Sequence, residues 1–91
     1  LKALAEVDSS YQAQYGLNRQ TQLLDSAWRK ANRQAQEAEK LFKYGDKTLD
    51  VALRARLDEL NYQQNLLQVR LASGQNLLNL YKAIGSGWQA E

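Results

Sequence analysis

The sequence predicts an all-α fold, a long antiparallel two-helix coiled-coil hairpin. Three observations carry this. The 91 residues contain no proline and only five glycines, and alanine, leucine, glutamine, arginine and lysine dominate, a composition that favours long uninterrupted helices. Apolar residues recur in alternating steps of four and three, the signature of helices packed along a supercoiled seam. A single strong break, "FKYGDKTLD", falls near the middle. The expected organisation is helix 1 over 1–43, a tip turn over 44–48, helix 2 over 49–84 and an exit segment over 85–91.

In helix 1 the stripe runs through Leu17, Thr21, Leu24, Trp28, Ala31, Ala35, Ala38 and Phe42. It is read as core, with a peptide-binding groove as the alternative. The opposite face carries Arg19, Gln22, Ser26, Arg29, Arg33, Glu37 and Lys40, all suited to water. Upstream, Leu4, Tyr11 and Tyr15 project roughly 140–180° from that stripe, counting about 100° per residue. Helix is expected to continue through Gly16, where this pattern shifts, because one glycine costs only about 1 kcal/mol in a helix interior.

The tip follows. Gly45 is the residue able to reverse the chain, Asp46 or Thr48 is placed to cap the next helix, and Asp50 falls in its first turn, where the helix dipole favours a carboxylate.

Helix 2 carries two stripes. One runs through Leu53, Leu57, Leu60, Gln64, Leu67, Leu71, Gly74, Leu78 and Tyr81, the other through Ala55, Tyr62, Leu66, Val69, Leu77, Leu80 and Ile84, nearly opposite. A helix packed only on its hairpin partner needs one stripe; two opposed stripes call for neighbours on both sides, as in the wall of a helical cylinder. The second stripe is expected to be left uncovered in the isolated chain and to drive self-association. Between the stripes lie Asn61, Asn65, Ala72, Asn76 and Asn79 on one side and Arg56, Gln63 and Arg70 on the other, so one polar face suits a channel lining and the other outside solvent.

At the end, "LYKAIGSGW" puts Gly85 where a left-handed residue would stop the helix, with Trp88 beyond it to cover an apolar helix end.

Totals exclude several functions. The chain has no histidine and no cysteine, so there is no imidazole or thiol to activate a nucleophile, no disulfide and no metal site, and no phosphate-cradling glycine loop. Glu37, Glu39, Asp46, Asp50, Asp58 and Glu59 read as helix-surface carboxylates. No enzyme activity and no cofactor are expected. Twelve basic residues against ten acidic ones leave a net charge of +2, too little to drive nucleic-acid binding, and no aromatic residues interleave with the basic face of Arg19, Arg29, Arg33 and Lys40. No run approaches the ~20 apolar residues of a membrane helix. The chain opens on Leu1 and has no methionine, which reads as a segment excised from a longer protein.

Three stretches together resemble the outer-membrane channel proteins of Gram-negative efflux pumps, the TolC and OprM type. "LAEVDSSY" is similar to the start of that family's last long periplasmic helix. "LFKYGDKTLDVALRAR" is similar to its tip, and "LYKAIGSGW" to its terminal "LYKALGGGW", which is the most specific match.

The resemblance covers the C-terminal helical hairpin of the family's tunnel and leaves out its β-barrel. It implies a periplasmic tunnel-wall hairpin of a trimeric channel exporting drugs, metals or other small molecules. A periplasmic adaptor (membrane fusion) protein would dock at Tyr44, Gly45, Asp46 and Lys47, and an inner-membrane pump would be an indirect partner. The terminal motif maps to Leu80, Tyr81, Lys82, Ala83, Ile84, Gly85, Ser86, Gly87 and Trp88, and implies the point where the chain leaves the tunnel helix. Ile84 stands for the usual leucine and Ser86 for a glycine. Asp46 puts a charge where the family often has an apolar side chain. The competing reading is an autonomous coiled-coil hairpin acting as a structural or protein-interaction module.

Overall fold

The computed structural model describes residues 2–89, with side chains from residue 4 to residue 85. Two helices account for nearly all of it: α1 (Lys2–Lys43) and α2 (Leu49–Gln89). Among the described residues there is no strand, and no helix is long and apolar enough to cross a membrane. The all-α hairpin expected from the periodicity is the fold observed. The chain divides into two compact units, one from residue 22 to residue 67 around the turn, the other pairing α1 up to residue 21 with α2 from residue 68.

In the turn unit, α1 ends in a Schellman motif. The amide of Asp46 donates to the carbonyl of Leu41 (2.9 Å) and that of Gly45 to Phe42 (3.0 Å). This geometry needs a left-handed residue, and Gly45 supplies it with φ 81°. Of the two candidate caps for α2, Thr48 does the work: its hydroxyl accepts the amide of Val51 (3.3 Å) and its carbonyl the amide of Ala52 (3.2 Å).

The core of this unit is thin and made of small residues. Ala31, Ala35, Ala52 and Leu66 are buried, with Ala35 fully so. Alanines at the contact let the helix axes approach closely, since interaxial distance follows side-chain size there. Phe42, expected in the core, is 40% exposed; the turn begins just beyond it, and the adjacent Leu41 takes the half-buried place.

In the other unit the seam keeps its heptad spacing through Val7, Ser10, Gln14, Leu17 and Thr21 on α1, meeting Val69, Ser73, Asn76, Leu80 and Ala83 on α2. Leu4, Tyr11 and Tyr15 point away from it and are exposed, as their angular offset implied.

Two expectations are corrected. The stripe of α2 left uncovered is the leucine-rich one and not the second: Leu53, Leu57, Leu60 and Leu67 are 48–59% exposed in the turn unit, and Leu71, Leu78 and Tyr81 are 54–71% exposed in the other. Ala55, Leu66, Val69 and Leu80 instead lie in the seam, on the same face as Arg56, Glu59 and Asn76, which were expected on solvated faces. The polar groups among them are hydrogen-bonded across the seam.

The helix also does not stop at Ile84. It runs through Gly85 to Gln89, and Gly45 is the one described glycine with positive φ. With no proline to end it, continuing α2 costs only the modest helix penalty of glycine. The proposed role of Trp88 in covering the helix end falls on a side chain outside the described residues.

Candidate functional site

The tip is the exposed end of the turn unit. Tyr44 is 73% exposed, Asp46 and Lys47 are also exposed, and the Schellman motif and the Thr48 cap hold the loop from both sides. A Schellman motif commonly adds an apolar contact between the residue after its glycine and the residue two positions before the helix end. Here those positions are Asp46 and Leu41, so a carboxylate stands where the apolar member of that contact usually is. Beside the tip lies an open groove of about 430 Å³ along α1, lined by Arg33, Gln36, Glu37, Lys40, Leu41 and Tyr44. Its walls combine an apolar floor with two cations and one carboxylate, a surface suited to an amphipathic partner carrying acidic groups.

Farther along the turn unit, five side chains interlock across the seam. The indole N–H of Trp28 donates to Glu59 Oε2 (2.7 Å), and Arg56 Nη1 donates to Glu59 Oε1 (2.9 Å) and to Asn32 Oδ1 (3.2 Å). Arg56 also reaches Glu39 through Nε (2.7 Å) and through Nη2. Glu59 is 4% exposed, so both of its oxygens are spent on hydrogen bonds within the hairpin. The Trp28 N–H foremost, then Arg56, holds its carboxyl below the usual glutamate range, against the opposing effect of burial. The guanidinium of Arg56 is correspondingly pushed up by Glu59 and Glu39.

Glu59 had read as a surface carboxylate. Its signal was its position: it stands seven residues after Ala52 and seven before Leu66, on the heptad that becomes the seam.

The second unit repeats the pattern with neutral groups. Gln14, 9% exposed, donates to Ser73 Oγ (2.7 Å) and Asn18 Oδ1 (2.9 Å), while Asn76 donates to Gln14 Oε1 (3.0 Å) and the Ser10 carbonyl (2.9 Å). A smaller groove of about 230 Å³ sits next to it, lined by Tyr11, Gln14, Tyr15, Asn18, Leu77 and Leu80.

The terminal motif is not gathered into one place. Leu80 and Ala83 enter the seam, whereas Tyr81 and Lys82 are exposed and Ile84 is about half as exposed as Tyr81. The side chains of Ser86 and Trp88 lie outside the described residues. Among the described residues, no three of aspartate, glutamate, histidine or cysteine are grouped so as to hold a metal ion.

Against known proteins, the whole chain aligns with the pyoverdine export outer membrane protein OpmQ of Pseudomonas putida (strain KT2440), at 32% identity over 91 residues. It aligns equally fully with the protein of the same name from Pseudomonas aeruginosa (strain PAO1), at 31% identity. The chain spans 19% of the length of each relative. No protein-family model matches it, and no solved structure does. The resemblance carried by the three sequence stretches is therefore borne out over the full chain: it is similar to a segment of outer-membrane export proteins.

Proposed function

We propose that the chain is a periplasmic wall segment of a trimeric outer-membrane export channel, acting by assembly and by opening of its tunnel, without bond chemistry. The observation that carries this is the uncovered leucine stripe of α2. In the turn unit Leu53, Leu57 and Leu60 stand about half exposed on one side of a helix whose other side already packs on α1. A water-facing monomer rarely keeps such a surface, whereas a tunnel wall gives each hairpin a neighbour on either side.

The relatives, whose names specify pyoverdine export, support a small-molecule cargo for the channel to which this hairpin would belong. The tip Tyr44–Lys47 and its groove serve as the docking point for a periplasmic adaptor, with Asp46 and Lys47 supplying the charge pattern and Leu41 the apolar floor.

The test uses a full-length channel carrying this hairpin. Exchanging the two tip charges (Asp46→Lys with Lys47→Asp) keeps net charge while inverting the local pattern, so a loss of adaptor cross-linking and export at normal channel abundance supports docking by complementarity. Full export by that variant, together with Tyr44→Ala, removes the tip from the mechanism. A leucine stripe that stays solvent-accessible in the assembled channel removes the tunnel-wall role itself and leaves the autonomous hairpin.

A further inference from the structure

The more hydrophobic face of α2 is not the one that meets α1. In the turn unit Leu53, Leu57 and Leu60 remain about half exposed, while the seam positions beside them are Ala52, Ala55 and Glu59. Burial stabilises in proportion to the apolar area removed from water, and three leucines offer far more of it than two alanines and a carboxylate. Apolar area alone would turn α2 the other way.

Polar groups oppose that rotation. Trp28 points an indole N–H into the seam, and Glu59 accepts it. Arg56 ties the same carboxylate to Asn32 and Glu39 of α1. Among the described residues no buried side-chain nitrogen or oxygen is left without a partner. Turning the leucines inward would carry Glu59 and Arg56 away and set the indole N–H against alkyl groups, which offer no acceptor. It would also press leucine side chains against Ala31 and Ala35, where the helices are spaced for alanine.

We propose that Glu59 and Arg56 are a face-selecting pair: by engaging Trp28, Asn32 and Glu39 they dictate which side of α2 packs on α1 and so hold the leucine stripe outward. Buried polar groups are best attested in this kind of role, setting register or orientation at some cost in stability. The inference rests on the hairpin alone and stands whether or not the hairpin belongs to a channel.

The chain has no cysteine, so introduced pairs report without background. The antiparallel offset set by Trp28–Glu59 and Asn32–Arg56 brings Ala35 level with Ala52. Ala35→Cys with Ala52→Cys reads the observed face, and Ala35→Cys with Leu53→Cys the leucine face, each scored as intramolecular disulfide on a non-reducing gel. In the otherwise unchanged chain the first pair should close several-fold faster than the second. Adding Glu59→Leu with Arg56→Leu should bring the two rates together, whereas Glu59→Gln, which keeps an acceptor for Trp28, should largely preserve the preference. An unchanged preference in the double-leucine background, at full helical content by circular dichroism, overturns the proposal. If that background does not fold, Trp28→Phe with Asn32→Ala and Glu39→Ala decides: it removes all three α1 partners while leaving Glu59 and Arg56 paired with each other on α2, and a preference that survives it also overturns the proposal.

Discussion

Trp28 and Glu59, thirty-one residues apart in the chain, are joined across the hairpin by a 2.7 Å hydrogen bond from the indole N–H to a carboxylate oxygen that is almost completely buried. Its second oxygen is held by Arg56. The seam of the turn unit is therefore not a simple hydrophobic zipper. It is a thin alanine-lined contact with a charged network at its centre, and its stability should depend on the state of that carboxylate.

Acid is the first prediction. The native carboxyl of Glu59 is depressed, so its contribution is fully present above the unfolded value, about 4.3 for glutamate, and is lost as pH falls through the lower native value. Urea midpoints should be insensitive to this group between about pH 7 and 5.5 and should drop below about pH 4. The Glu59→Gln variant should show a shallower acid loss than the parent chain. Equal slopes for the two proteins would show that the network contributes nothing to the pH dependence.

Adjacent leucines provide the second. Leu66 is 3% exposed and Leu67 is 57% exposed. Leu66→Ala should cost about 2–4 kcal/mol of the isolated chain's stability through lost burial and the cavity left behind. Leu67→Ala should stay within about 0.5 kcal/mol. Chemical denaturation of both variants checks this, and a reversed order would place the leucine stripe, and not the alanine seam, against α1.

The tip yields a third. An added Cβ at Gly45 meets nothing within 4 Å, so the penalty for Gly45→Val is purely that of a branched residue at φ 81°, on the order of 1–2 kcal/mol. Thr48→Ala should cost about 1 kcal/mol by leaving the Val51 amide uncapped. Asp46→Val should be slightly stabilising, because it restores the apolar contact with Leu41 that the Schellman geometry offers. Thermal melts of the three variants would rank them, and a neutral Gly45→Val would mean that the turn does not depend on the left-handed residue.

Self-association is the fourth. With the leucine face exposed, the isolated chain should form dimers or higher species at high micromolar concentration in sedimentation equilibrium. Leu53→Ser with Leu57→Ser should shift it toward monomer while leaving helical content unchanged, since both side chains lie outside the seam. A parent chain that stays monomeric throughout would deny the exposed stripe any role in assembly.

Much of this was legible in the residues. Steps of four and three marked Leu17 through Ala38 as one face of a long helix, and Gly45 with Thr48 marked the turn, because helix periodicity and turn chemistry are local properties. The resemblance of the tip and terminal stretches to a channel family was equally local, and the similarity of the whole chain to a segment of export proteins agrees with it.

Tertiary structure decided what depends on a partner. Periodicity showed that α2 has two apolar faces but not which one α1 would take, since area favoured the leucines while the pairing of Trp28 with Glu59 and of Arg56 with Asn32 and Glu39, together with the small residues Ala31 and Ala35 of α1, favoured the other. That pairing brings together groups that lie 17 to 31 residues apart in the chain, so no window of sequence contains it. The fate of Gly85 was open for a similar reason: glycine permits both a helix stop and a helix continuation at small cost, and α2 continues.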